Sequence, residues 1–148
     1  MKTEEPGRYN ITLCTSEPQI TATFQVMRHL RTGLLSEQDY LERVRRQQAN
    51  GYHLVALHHE GKCVSVAGFS FGESLARGRH VYVDDLVTDP DVRGKGYGAE
   101  LLDWIADHAR NHGCSQLHLD SNVNRFAAHR FYLEKKFDIT AHHFRLVL

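Results

Sequence analysis

The hexapeptide RGKGYG, Arg93 to Gly98, constrains this chain more than any other segment, because it stands between a strand and a helix. Upstream runs HVYVDDLVT, His80 to Thr88, a β-branched stretch with two carboxylates at its centre. Downstream, Leu101, Leu102, Ile105 and Ala109 recur at helical spacing until Gly113, a predicted C-cap. A glycine-rich turn that opens a helix leaves backbone N–H groups unpaired at the positive end of the helix dipole, which is an anion-binding arrangement. Glycines permit this because side chains would hold the backbone away from a ligand's oxygens.

The surrounding pattern predicts a strand at Tyr9 to Cys14, then a helix capped by Ser16 with Ile20, Phe24, Met27 and Leu30 as its apolar stripe. A second helix follows Ser36, with Asp39 at the capping-box position and Tyr40, Leu41 and Val44 inward, and it ends at Asn50-Gly51. Tyr52 to His58 and Cys63 to Phe71 read as a hairpin turning at Glu60-Gly61, with a loop from Gly72 to Arg79 before the third consecutive strand. SQLHLD reads as another strand, Asn124 begins a last helix with Phe126, Ala127, Phe131 and Tyr132 near its inner side, and FDIT and FRLVL are short strand candidates. The fold class is therefore α/β of the α+β type: a mixed sheet with a parallel βαβ crossover where the glycine-rich turn sits. No linker composition divides the 148 residues, so residues 1–148 read as one domain.

Two familiar phosphate-binding patterns do not fit. A Walker A loop needs Gly-Lys followed by Ser or Thr, and Gly96-Tyr97-Gly98-Ala99 offers neither. Gly94, Gly96 and Ala99 satisfy a relaxed dinucleotide pattern, but too little chain follows to complete a doubly wound sheet. The sequence instead resembles the GNAT superfamily of acyl-CoA-dependent N-acyltransferases, whose signature Arg/Gln-x-x-Gly-x-Gly/Ala is filled by Arg93, Gly96 and Gly98. VDDLVTDPDVRGKGYGAELL, Val83 to Leu102, looks like that family's strand, turn and helix without a gap, and Asn124, Ala127 and Tyr132 resemble its N-x-x-A-x-x-x-Y segment, with four residues in place of three between Ala127 and Tyr132.

The resemblance implies a central mixed sheet flanked by about four helices and acetyl-CoA as cosubstrate. It also implies that the amides of Gly94, Lys95, Gly96, Tyr97 and Gly98 bind the coenzyme's pyrophosphate, with Arg93 beside them and Leu86, Val87 and Thr88 along the pantetheine arm. Tyr132 would be the general acid, because a phenol with pKa about 10 is protonated at neutral pH. Lys136 departs from the family, which commonly places Gly before the Phe that follows this helix.

An ammonium acceptor must lose a proton before it attacks, and Asp84 and Asp85 are the candidate acceptors. Strand alternation places them on opposite faces; the resemblance, through relatives that acetylate polyamine-like substrates and carry an acidic residue at the position of Asp84, favours Asp84 as base, through water, with Asp85 orienting substrate or supporting the site. The backbone N–H groups of Leu86 or Val87 could polarise the carbonyl. Glu73, on the preceding loop, is a secondary candidate for substrate contact.

Acidic and basic residues balance at 18 each, so no global field points to nucleic acid or a membrane surface, and no long uncharged apolar run could span a bilayer. The pairs His58-His59 and His142-His143 have the wrong spacing for a metal, so none is expected. Cys14, Cys63 and Cys114 lack the context of an activated thiolate, which favours direct transfer and a reduced, cytoplasmic setting. The predicted activity is N-acetylation of a small primary amine by a possible homodimer; the alternatives are a non-catalytic acyl-CoA sensor and an NAD(P)-binding oxidoreductase.

Overall fold

A computed structural model describes residues 9–148. They pack as two units, one reaching to His118 and the other running from Leu119 onward. Among the described residues the sheet has five strands in the order β1-β2-β3-β4-β5: β1 Asn10–Leu13, β2 Tyr52–His59, β3 Lys62–Ser74, β4 Gly78–Thr88 and β5 Gln116–Leu119. The first four pair antiparallel and β5 lies parallel to β4. The helices are α1 Glu17–Thr21, α2 Phe24–Met27, α3 Glu37–Gln48, α4 Tyr97–Asn111 and α5 Phe126–Glu134.

The first helix predicted from the sequence is broken in two. Ser16 and Gln19 form a reciprocal capping box that starts α1. Thr23 then interrupts the helix: its buried hydroxyl bonds the Ile20 carbonyl at 2.7 Å and the Tyr40 hydroxyl at 2.7 Å. A side chain that satisfies itself on the preceding carbonyl competes with helix continuation. α3 begins at Ser36, whose hydroxyl accepts from the Asp39 N–H, and buries Tyr40, Leu41 and Val44 as its stripe requires.

The sheet separates two apolar layers. Tyr52, Leu54 and Ala56 of β2 join Ile20, Phe24, Val26, Met27, Tyr40, Leu41 and Val44 from α1 to α3. On the other face Val55, Leu57, Phe69 and Val81 are fully buried, as are Leu101 and Ile105 of α4. Hairpin β2–β3 turns through Glu60 and Gly61 with φ of 52° and 77°, the paired left-handed geometry of a two-residue type I′ turn. The predicted loop from Gly72 to Arg79 shrinks to a turn at residues 75–77, because β3 and β4 continue their ladder to the pair Ser74 and Gly78. Glu73 accordingly lies on β3 opposite Arg79 rather than on a loop.

A ring cluster covers part of the α4 face. Trp104 stacks on His108 at 4.7 Å, His108 meets His112 at 4.3 Å, and Phe69 lies against both His53 and His108. Burial, then the neighbouring imidazoles, depresses the pKa values of His53 and His108. A depressed folded-state pKa means the fold favours neutral imidazole. Its contribution is fully present above the unfolded value near 6.5 and is lost as pH falls through the folded values. The melting temperature should therefore drop between pH 7 and pH 5, and His108→Gln should flatten that drop.

In the second unit α5 begins at Phe126, two residues later than the sequence suggests, and both Phe126 and Ala127 are exposed rather than inward. It ends on Lys136, whose φ of 71° is left-handed; Phe137 N–H bonds Tyr132 O at 3.0 Å and Lys136 N–H bonds Leu133 O at 3.1 Å. This is a Schellman closure with lysine where glycine is usual. Lys136→Gly should raise unfolding stability by about 1 kcal/mol, read by urea denaturation. The strands expected at FDIT and FRLVL do not form: residues 138–148 carry no regular secondary structure and are exposed. Alternating apolar residues need a partner edge to become a strand, and sequence pattern alone does not supply one.

Candidate functional site

The end of β4 is shaped by an irregularity in its ladder. Phe69 pairs with Val83 and Gly68 pairs with Asp85, so Asp84 is the extra residue of a β-bulge. Strict alternation therefore fails at this point. Val83 shares its face with Phe69, whose ring meets His108 of α4, whereas Asp85 reaches Tyr52 on the opposite, α1–α3 side. Two residues that alternation would put on one face are divided by the bulge, and the expectation that alternation separates Asp84 from Asp85 loses its basis.

Asp84 is exposed. Asp85 is engaged through both carboxylate oxygens: Oδ1 accepts from Arg31 Nε at 2.7 Å and Oδ2 accepts from the Tyr52 hydroxyl at 2.7 Å. Arg31 also donates through NH2 to the Asp84 carbonyl at 2.7 Å. Burial, reinforced by Asp85, pushes the Tyr52 phenol far above its ordinary pKa, so it remains a donor. Gly68 makes this possible, since a Cβ there would fall inside the Tyr52 ring. Arg31, Tyr52 and Gly68 were not evident as site residues from sequence. Gly68 had a signal, an isolated glycine inside a strand; Arg31 and Tyr52 had none, because their roles depend on contacts 54 and 33 residues away.

Beyond the bulge, Leu86, Val87 and Thr88 pair with Ala67, Val66 and Ser65 on one edge of β4. On the other edge, Ser115 N–H bonds the Arg79 carbonyl at 3.0 Å, and β5 then runs for four residues. It therefore stops about level with Val83, short of Leu86, Val87 and Thr88. Asp89 is buried and accepts from the Asp91 N–H at 3.0 Å, capping a short 3-10 turn, Pro90–Val92.

Arg93 to Gly98 follow. Gly94 and Gly96 have φ of 84° and 83° with open space where a side chain would be, and Gly96 is the N-cap of α4 without a side-chain capping bond. Gly98 presses its backbone on Thr88, whose Oγ1 lies 3.2 Å from where a Cβ would sit. Arg93, Gly94 and Lys95 are exposed, and neither cation makes an ion pair or hydrogen bond among the described residues. The Tyr97 ring turns to His59, 5.7 Å away, leaving only its backbone at the loop. The start of α4 is thus left without a side-chain cap beside two exposed cations, an arrangement suited to a phosphate group.

In the second unit, Asn124 is exposed in the turn before α5 and Ala127 is exposed in its first turn. Tyr132 lies in its last turn, half-buried, with Phe131 at 5.3 Å and Phe137 at 5.7 Å. Burial raises its phenol pKa, partly opposed by Arg125. Cys14 and Cys63 are poor nucleophiles: burial pushes the Cys14 thiol up to about 11 and the Cys63 thiol up to about 12. Among the described residues no group of three or more His, Cys, Asp or Glu side chains could hold a metal ion, and no helix is long and apolar enough to cross a membrane.

A sheet of this order with a glycine-rich turn leading into α4 defines an acyltransferase-like α/β fold, and comparison with known proteins sharpens it. The family model described as "Acetyltransferase (GNAT) family" matches residues 21–138. The chain is 37% identical over 133 residues to the "Uncharacterized N-acetyltransferase YhdJ" of Bacillus subtilis, covering 88% of this chain and 93% of that protein. It is 38% identical over 61 residues to bovine thialysine N-epsilon-acetyltransferase, covering 40% and 36% of the two chains. A solved aminoglycoside N-acetyltransferase in complex with CoA superposes with a TM-score of 0.84 at 14% identity, covering 99% of each chain. The chain belongs to the GNAT acetyltransferase family, whose members acetylate amines.

Proposed function

We propose that this protein moves the acetyl group of acetyl-CoA to the nitrogen of a small primary amine by direct attack. One observation carries the reading: an uncapped α4 N-terminus, opened by left-handed Gly94 and Gly96, follows directly on a strand whose bulge exposes a carboxylate. Acetyl-CoA supplies an activated acyl group on a thiol leaving group. The amides of Gly94 to Gly98, with Arg93 and Lys95, hold its pyrophosphate, and the edge of Leu86, Val87 and Thr88 holds its pantetheine arm. By resemblance to the family, Asn124 and Ala127 are assigned as further coenzyme-binding residues.

Asp84 accepts a proton from the ammonium of the acceptor, directly or through water. Asp85 is assigned a supporting role, because both of its oxygens are already bonded. The freed lone pair forms the N–C bond as the C–S bond breaks. The backbone N–H of Leu86 or Val87 polarises the carbonyl, and Tyr132 donates its phenolic proton to the departing sulfur. The high thiol pKa values of Cys14 and Cys63 support transfer without a covalent acyl-enzyme.

A panel of small amines, amino acids, aminoglycosides and lysine peptides, incubated with acetyl-CoA and read by free thiol release, tests the assignment. Turnover is expected with at least one small primary amine. Thermal stabilisation by acetyl-CoA without turnover of any amine would instead make the protein an acyl-CoA sensor. Stabilisation by NAD(P) and not by acetyl-CoA would sink the coenzyme assignment.

A further inference from the structure

We propose that Arg31 is a positioning residue that sets the β4 bulge, and through it the direction in which Asp84 is presented. The bulge is a main-chain fact; its consequence for chemistry rests on the acetyl-transfer reading above. Arg31 lies just past α2, its own N–H bonded to the Met27 carbonyl at 2.9 Å. From there the guanidinium reaches β4 and divides its donors, Nε to the Asp85 carboxylate and NH2 to the Asp84 carbonyl, both at 2.7 Å.

The second bond is the informative one. A bulge adds a residue that has no opposite number on the neighbouring strand, so its peptide groups fall out of register with the ladder. Asp84 is that residue, and the Arg31 guanidinium supplies a donor to its carbonyl. A planar fork does this while also engaging the adjacent carboxylate, which fixes the orientation of the Asp84–Asp85 peptide as well as its position. Tyr52 holds the other Asp85 oxygen from β2, in the space left by Gly68 of β3. The α2–α3 segment, β2 and β3 therefore converge on one peptide of β4. The pair is half open to solvent, with the Arg31 side chain 49% exposed and Asp85 13% exposed, so screening on the arginine side limits what it contributes to folding.

Arg31→Ala and Arg31→Lys test the proposal. In Arg31→Ala, native-state exchange of the Asp85 and Leu86 amides should accelerate about tenfold or more, with the melting temperature within about 4 °C of wild type. kcat should fall roughly 10- to 100-fold, as expected when a reacting group is misplaced by about 1 Å, while KM for acetyl-CoA stays within about twofold. Arg31→Lys keeps the charge but not the fork and should recover part of both losses; it also serves if the alanine variant does not fold. Unchanged exchange at Asp85 and Leu86 in both variants overturns the proposal, as does a kcat within twofold of wild type or a loss confined to KM for acetyl-CoA. Exchange needs no acceptor, so faster exchange alongside a wild type that acetylates no amine upholds the anchoring of the bulge and defeats the acetyltransferase reading instead.

Discussion

Tyr132→Phe is expected to lower kcat for acetyl transfer by about two to four orders of magnitude, the range attributed to a positioned general acid, while acetyl-CoA still binds. The substitution removes one hydroxyl and keeps the ring that packs beside Phe131 and Phe137 at 5.3 and 5.7 Å. The fold should therefore be unaffected, with a melting temperature within a few degrees of wild type. Burial raises the phenol's pKa, so the proton that Tyr132 donates is present throughout the neutral range. Calorimetric binding of acetyl-CoA to the variant, beside steady-state kinetics with whichever amine the panel identifies, separates the two effects. A kcat within threefold of wild type would remove Tyr132 from the chemistry and return the residue to packing.

Gly68→Ala should be the most damaging small substitution to stability. The added methyl would occupy the Tyr52 ring, and that ring is buried and tied through its hydroxyl to Asp85 at 2.7 Å. Displacing it adds an overpacking cost of about 1–3 kcal/mol to the loss of a hydrogen bond to a carboxylate, about 1.5–3 kcal/mol. The sum, about 2.5–6 kcal/mol, is a large share of the total stability of a domain this size. Urea denaturation measures it. Tyr52→Phe, which lacks the hydroxyl to be displaced, should cost less when added to Gly68→Ala than on its own, because the two changes remove the same contact. A Gly68→Ala cost below about 1 kcal/mol would show that the β3–β4 ladder can shift to accept a side chain.

These two residues mark how far the sequence could be read. Tyr132 was picked out by resemblance alone, since Asn124 and Ala127 precede it much as in a known motif, with one residue more before the tyrosine. The turn at Arg93 to Gly98 was legible for a local reason: left-handed φ at Gly94 and Gly96 belongs to glycine almost alone, so residue type announces geometry. The same reasoning found the Glu60-Gly61 turn, the Ser16 and Ser36 caps, and the buried stripe of α4. It missed the break that Thr23 makes in the first helix by bonding Ile20 and Tyr40, and it flagged Lys136 as a departure without fixing its geometry, a left-handed φ on a non-glycine residue.

By itself, then, the sequence determined most of the order of elements, the family and the geometry of the glycine-rich turn, and it singled out the two carboxylates. Each is written in local pattern: periodicity, glycine placement and motif spacing. Only the tertiary structure decided which carboxylate meets Arg31 and Tyr52. That choice depends on a one-residue bulge between Gly68 and Phe69, on Tyr52 from β2 and on Arg31 from beyond α2. A bulge reverses the facing of everything after it, and the partners that hold it come from distant parts of the chain, so no window of neighbouring residues contains the information.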